Sequence, residues 1–276
     1  MSSPHPRADT NDLVVITGTS RGIGQALAGL FRADGWEVLG ISRSGPEPGA
    51  DGTARTPDGS RLLRADLTRI DEIDRVVEVV ADICEREERK IAFLVNNAGA
   101  LGTLGPLGDQ AVADLEQLMA LHVYAPMRLV TGQLDSFRPG ARVLNLASRA
   151  GHIPIAEVGP YCISKHAEVA LTGVLRLELA DRGIIVGTVI PGEVDTQMQQ
   201  ELRAPNPDQF GLADFFRANV VNLIPVDVAA RFLHWILTAT TDLDFARQDD
   251  WFIYDQPLEP VWLAPGEKFS YPNPDD

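Results

Sequence analysis

Thr17-Gly18-Thr19-Ser20-Arg21-Gly22-Ile23-Gly24 joins an apolar run, Leu13 to Thr17, to a stretch from Ile23 to Phe31 with apolar residues at helical spacing. The run reads as a strand buried on both faces, and the stretch as the helix that follows it. Glycines at the junction let the backbone turn sharply and approach a pyrophosphate closely. The helix N-terminus behind them offers unpaired N–H groups and the positive end of a dipole. A glycine cluster alone says little. Its place at the first strand-to-helix junction points to a nucleotide site.

The same alternation continues outward from this junction. Trp36 to Ile41 reads as a second strand, and Arg61 to Ala65 as a short third one. Between them, Ser44 to Ser60 is rich in Gly, Pro and Asp and reads as a mobile surface loop. Ile73, Val76, Val77, Val80 and Ile83 give Ile70 to Arg89 a helical period. Ile91 to Val95 is a strand, and Val112 to Phe137 a helix interrupted at Pro126. Arg142 to Ala147 is a strand. Tyr161 to Ala180 is a helix ended by Gly183, and Ile184 to Ile190 a strand stopped by Pro191. Val226 to Leu237 is helical, and Trp251 to Tyr254 a last strand. Strands alternating with helices imply an α/β fold: a single-domain, Rossmann-type, doubly wound parallel sheet with helices on both faces. The domain is expected to run from 1 to 276, with its core at about 12–256. Residues 1–11 and the proline-rich 257–276 read as extended termini, the latter lying on the body or on a neighbouring subunit.

Composition narrows the function. The chain has 276 residues and is 45% hydrophobic, as ordinary globular proteins are. It has no apolar run of about 18 residues and no basic-then-apolar leader. The expectation is a cytoplasmic protein without a membrane span. A net charge of -15 repels phosphates and argues against nucleic acid or anionic membranes as partners. The two cysteines, Cys84 and Cys162, form no zinc-like pattern, and no metal site is expected.

The spacing of the opening motif is TGxxxGxG, not GxGxxG, and it resembles that of the short-chain dehydrogenase/reductase family. The resemblance implies that Gly18, Ser20, Arg21, Gly22, Ile23 and Gly24 surround a nicotinamide dinucleotide. Ser42-Arg43 closes the second strand, where an acid would hold the ribose 2′-hydroxyl of NAD. Arg43 there, joined by Arg21, suits the 2′-phosphate of NADP(H). Asp66-Leu67 matches the family's adenine contact, although Asp66 also reads as a simple helix cap. Asn96-Asn97-Ala98-Gly99 matches NNAG. Its amides are expected to tie neighbouring strands together, and Ala98 and Gly99 to leave room for the cofactor. Pro191, Gly192, Val194 and Thr196 match PGxVxT, which grips the nicotinamide carboxamide; Glu193 between them faces substrate or solvent.

Reducing a ketone takes a hydride and a proton. A neighbouring ammonium lowers the pKa of a tyrosine, and a lysine four residues on shares its helical face. Tyr161 and Lys165 have this spacing and match the family's YxxxK. Ser148, 13 residues before Tyr161, stands where the family's serine holds the substrate oxygen. Lys165 is one of only three lysines, with Lys90 and Lys268, among 24 basic residues, and it is expected to contact the ribose hydroxyls as a compact ammonium. The family usually completes a tetrad with an asparagine whose main-chain carbonyl holds a water linked to the lysine. His122 stands there. Pro126, four residues on, has no N–H to bond that carbonyl. The relay water is therefore expected to survive, unless His122 merely packs.

The expected substrate wall comprises 101–107, 149–155 and 198–216, the last carrying Phe210, Phe215 and Phe216 as either a mobile lid or ordinary packing. The layout is similar to that of sepiapterin reductase and benzil reductase relatives, which implies a small-molecule carbonyl flanked by a ring. Two rival readings are a cofactor-binding regulator that has lost turnover and an NAD-linked alcohol dehydrogenase. The complete Ser-Tyr-Lys set argues against the first, and Arg21 and Arg43 against the second. By analogy with the family, the two long helices would pair across a two-fold axis in a homodimer or homotetramer.

Overall fold

The computed structural model describes residues 12–56, 59–247, 250–255, 258–263 and 266–267. The first strand, β1 (Asp12–Thr17), sits inside an eight-stranded sheet. The glycine turn leads into α1 (Gly22–Ala33), then β2 (Glu37–Ser42). Next come β3 (Ala54–Arg55), β4 (Arg61–Arg64), α2 (Ile70–Arg86) and β5 (Lys90–Asn96). The chain continues through α3 (Val112–Met119), α4 (Ala125–Thr131) and β6 (Phe137–Leu146) to α5 (Gly159–Leu179) and β7 (Ile185–Ile190). The last third holds α6 (Gln197–Arg203), α7 (Ala213–Ala218), α8 (Val226–Ala239), α9 (Asp242–Arg247), β8 (Trp251–Phe252) and α10 (Glu259–Trp262).

The strand order is β3-β4-β2-β1-β5-β6-β7-β8. Every pairing is parallel except β3 with β4. The order reverses direction at β1, so the C-terminal ends of β1 and β5 open a crevice where ligands bind in such sheets. Alternate residues of β1 feed two cores. Leu13 and Val15 pack with Ile73, Val76 and Val80 of α2 and Leu175 and Leu179 of α5. Val14 and Ile16 pack on the other face with Leu27 and Phe31 of α1 and Phe232, Leu233 and Ile236 of α8. Both faces are therefore buried, as the apolar run of β1 requires.

Four local expectations are corrected or refined. Within the 44–60 segment the described residues are not all loop: Ala54–Arg55 form β3, and Asp51 and Thr53 are anchored by Arg61, 4% exposed. Arg61 donates to Asp51 at 2.9 Å, Glu87 at 2.7 Å and Thr53 Oγ1 at 3.0 Å. The helix expected over 112–137 ends at Thr131, because β6 begins at Phe137 and needs the intervening residues for the return. The interruption at Pro126 widens the helix rather than breaking it. Residues Ala120–Tyr124 form a π-helical turn in which the Ala125 N–H donates to the Ala120 carbonyl, and α4 continues from there. The wider turn accommodates a position without an N–H. The tail is not uniformly extended either, since α10 places Trp262 4.8 Å, ring to ring, from Phe232 of α8. The expected extended stretch at 1–11 lies outside the described residues. Among the described residues, no helix is long and apolar enough to cross a membrane.

Candidate active site

The glycine turn is packed directly against the NNAG segment. Asn97 Nδ2 donates to the Thr17 carbonyl at 2.8 Å and the Gly18 carbonyl at 3.2 Å. The Asn97 and Ala98 N–H groups both donate to Thr17 Oγ1, at 3.0 and 2.9 Å. This closeness dictates two glycines. Gly18 has φ +76°, a left-handed conformation, and a Cβ there would lie 2.9 Å from the Ala98 Cα. A Cβ on Gly24 would lie 2.4 Å from both the Gly18 carbonyl oxygen and Asn97 Nδ2. The Asn96 amide links β5 to β6 as expected, with Nδ2 donating to Asn145 Oδ1, and Asn145 Nδ2 donates on to Thr172 Oγ1 of α5, each at 2.7 Å.

A cavity of about 1460 Å³ opens over the C-terminal ends of the strands. All the residues expected to bind cofactor or to act in proton transfer line it, except Gly24 and His122. Gly24 lies beneath the turn, as its contacts show. At one end, Arg21 and Arg43 are exposed and have no ion pair among the described residues. Arg64 and Arg75, which share a small hollow with Arg43, are engaged: Arg64 with Glu47 at 2.6 Å, Arg75 with the Arg64 carbonyl at 2.6 Å. Asp66 accepts from the Thr68 N–H and hydroxyl at 3.0 and 2.8 Å, so its carboxylate shapes the turn before α2 while its residue lines the cavity. These features suit a nicotinamide dinucleotide. The turn brings backbone close at positions a side chain would fill, and two guanidinium groups without an ion pair among the described residues stand at one end of the cavity.

At the other end, Ser148, Tyr161 and Lys165 line the same cavity. Ser148 Oγ accepts from the Ala150 N–H at 3.2 Å, which leaves its own hydrogen to donate. Lys165 lies below Tyr161 on α5, with Nζ 6.0 Å from the tyrosine ring centre. Burial depresses the pKa of this ammonium. Glu168 beside it, with Tyr161 adding, more than offsets that effect, and the pKa ends above its ordinary value.

His122 does not reach the cavity. Its ring is fully buried in the π turn, edge-on to Tyr161 with centres 5.8 Å apart. The Ala100 N–H donates to Nε2 at 3.3 Å, so the hydrogen sits on Nδ1 and donates to Ser164 Oγ at 2.9 Å. Ser164 in turn donates to the Tyr161 carbonyl at 2.9 Å. Burial first, and the Lys165 charge second, hold the His122 pKa well below 6.5, and the ring is neutral. It clamps the start of α5 to the segment that follows NNAG.

Leu101, Ala150, Val158, Cys162, Leu202 and Phe210 belong to a small apolar cluster, of which Leu101, Ala150, Val158 and Leu202 line the cavity. Phe210 is packed rather than exposed, stacking on Phe216, while Phe215 and Phe216 face the cavity. Cys162 is buried, and its Sγ accepts from the Ile155 N–H at 3.4 Å, fixing part of that wall. Glu193 and Tyr254 also line the cavity; the Tyr254 hydroxyl accepts from the Glu193 N–H at 3.0 Å. Burial lifts the Glu193 carboxyl above its usual range, against the pull of Arg149, and pushes Tyr254 up to about 12.

Residues 12–207 match the family model described as short chain dehydrogenase. The chain belongs to the short-chain dehydrogenase/reductase family of oxidoreductases. It is similar to galactitol 2-dehydrogenase of Agrobacterium fabrum, with 32% identity over 67% of this chain and 71% of that protein. An uncharacterized short-chain type dehydrogenase/reductase of Sinorhizobium fredii is 31% identical over 69% of this chain, a match spanning 34% of that protein's length. Among solved structures, a short-chain dehydrogenase/reductase of Saccharomyces cerevisiae superposes with TM-score 0.75 at 22% identity, covering 92% of this chain and all of that one. A blue fluorescent protein from a metagenomic library, in complex with NADPH, superposes with TM-score 0.67 at 24% identity, over 88% of this chain and 96% of that one. An oxidoreductase of Brucella ovis, in complex with a partially ordered NAD, gives 0.65 at 23% identity, over 88% and 99%. At these identities the structures establish the fold alone.

Two features of the site were missed in the sequence. Thr17 reads as the end of a strand and the first residue of TGxxxGxG, and neither reading marks its hydroxyl as the acceptor of two N–H groups. Glu168 had a signal. It lies at helical spacing within a buried stripe of α5, Lys165, Glu168, Thr172, Leu175 and Leu179, and an acid in such a stripe needs a partner.

Proposed function

We propose that this family member is an NADP(H)-dependent carbonyl reductase that converts a ketone or diketone to an alcohol. One arrangement carries the reading. Ser148, Tyr161 and Lys165 share a single cavity with a glycine turn at whose far end Arg21 and Arg43 stand without acidic partners among the described residues. Bound nicotinamide supplies the hydride. Ser148 donates a hydrogen bond to the carbonyl oxygen as charge develops on it, and Tyr161 delivers the proton. Lys165 stabilises the phenolate that remains and steadies the ribose. His122 holds the Tyr161 end of α5 in place through Ser164. Arg43, with Arg21, favours the 2′-phosphate of NADP(H) over the free hydroxyl of NAD.

The apolar wall around Leu101, Phe215 and Phe216 suits a carbonyl flanked by a ring. Residues 12–256 are read as one nucleotide-binding domain in a cytoplasmic protein. Ile163, Val174 and Leu177 expose apolar side chains on α5, which supports a homodimer or homotetramer. Sedimentation velocity at a mass well above 30.0 kDa is the expected result.

The test follows NADPH and NADH consumption against ketones, diketones and pterin-like carbonyls. Turnover with NADPH is expected, and Y161F is expected to reduce it by about 10²- to 10⁴-fold, the usual span for one proton-transfer group. Unchanged turnover in Y161F overturns the assignment.

A further inference from the structure

We infer that Glu168 is a positioning residue for Lys165, holding its ammonium at the base of the cavity and moderating the charge felt by Tyr161. The inference rests on the proton-transfer reading given above. Lys165 Nζ donates to Glu168 Oε2 at 2.7 Å and to the Leu146 carbonyl of β6 at 2.8 Å. The two side chains are withdrawn from solvent, 6% and 2% exposed. Among the described residues, the Glu168 carboxylate makes no other hydrogen bond. It faces one group, and that group is the lysine of YxxxK.

An ammonium has three hydrogens. Two are committed here, one upward to the sheet and one along the helix, and a single hydrogen remains for the Tyr161 side of the cavity. The family resemblance gives Lys165 the ribose hydroxyls and a water on the carbonyl of residue 122 as partners. With one hydrogen left, those partners cannot orient the lysine between them. Glu168 and Leu146 do so beforehand, without cofactor.

The charge of Glu168 matters as much as its place. An unpaired ammonium next to Tyr161 would draw the phenol strongly toward phenolate. A carboxylate 2.7 Å from the same nitrogen cancels part of that field. The net positive field reaching the Tyr161 hydroxyl is therefore weaker than a lone lysine would produce, which suits a group that must hold its proton until a carbonyl takes it. As a stability device the pair makes little sense. Burying two charges is expensive, and two apolar residues packed there would serve the core as well. The other titratable group beside this pair is the neutral His122 from the π turn; Arg149, Glu193 and Tyr254 line the same cavity. Beyond the Leu146 carbonyl, β6 contributes only uncharged Asn145 next to it. None of these changes in the variants below.

The experiment compares wild type, E168Q, E168D and Y161F, each checked for folding by circular dichroism. Alcohol oxidation is followed against pH, and tyrosinate absorbance of the cofactor-free protein is titrated with Y161F subtracted. E168Q keeps a hydrogen-bond acceptor and loses the charge. Its acid limb and its Tyr161 absorbance midpoint are both expected to fall by about one pH unit, the size of one charge acting at short range through an effective dielectric of about 20. E168D keeps the charge but withdraws it by one methylene. It is expected to leave the limb near the wild-type value while kcat drops by about threefold or more and the KM for cofactor moves little. An E168Q limb and midpoint that stay put or rise overturn the inference. If E168Q does not fold, E168D with wild-type kcat overturns it instead. Should Y161F retain turnover, the parent reading has failed; loss of turnover in Y161F with an unmoved E168Q limb defeats only the role of Glu168.

Discussion

Replacing Arg43 by alanine is expected to remove most of the discrimination between NADPH and NADH. Arg43 follows β2 on a turn fixed by the Ser42 hydroxyl, which donates to the Ser44 carbonyl at 2.7 Å, and by the Ala65 N–H, which donates to the Ser42 carbonyl at 2.9 Å. Its guanidinium has no ion pair to break among the described residues, whereas Arg64 and Arg75 beside it are held by Glu47 and Glu72. A hydrogen bond to a charged group contributes about 1.5–3 kcal/mol. Because Arg43 is exposed and salt screens such pairs over about 8 Å at physiological ionic strength, the lower end applies. That corresponds to roughly 10- to 30-fold weaker binding of NADPH. NADH lacks the phosphate, and its affinity is expected to stay within about twofold of wild type. Nucleotide fluorescence titrations at low and moderate salt measure both constants directly, without a substrate. The loss is expected to be larger at low salt. Equal losses for the two nucleotides would mean that Arg43 only shapes the turn, and no loss for either would refute its part in phosphate recognition.

Two further changes probe the frame of the site. G24A puts a Cβ 2.4 Å from a backbone oxygen that cannot swing away; nucleotide affinity is expected to fall at least about tenfold, and overpacking to destabilise the fold by about 1–3 kcal/mol, read from titration and urea unfolding. H122N tests the neutral ring. Because the folded-state pKa of His122 lies below its unfolded value near 6.5, the unfolded chain binds the extra proton as pH falls. Wild type should therefore lose up to about 1.4 kcal/mol of stability per pH unit below 6.5 that H122N does not lose. Parallel pH–stability curves for the two proteins would show that the ring titrates normally.

The parts of this molecule that were legible in the sequence are those governed by short-range rules. A short apolar run rich in β-branched residues, followed by a glycine turn and an apolar stretch at helical spacing, reads as a buried strand meeting a helix, and β1, α1 and their order follow from that. Tyr161 and Lys165 were legible because four residues make one helical turn. What escaped depended on contacts between segments far apart in the chain. Arg61 stitches a glycine- and proline-rich stretch to Glu87 across the edge of the sheet, and no local pattern announces such a partner. His122 stands in the motif order where the family usually has asparagine, but the direction of its ring depends on Ser164 and Ala100, which lie 42 and 22 residues away. Pro126 was legible as a missing donor; whether the helix breaks or widens there is decided by packing, since α4 buries Leu129 and Val130 in the core and holds the chain on its axis. Glu168 lies between these cases. Its spacing from Lys165 is a local fact, and its burial is a tertiary one. Only the two together make an acid beneath the family's lysine a functional question.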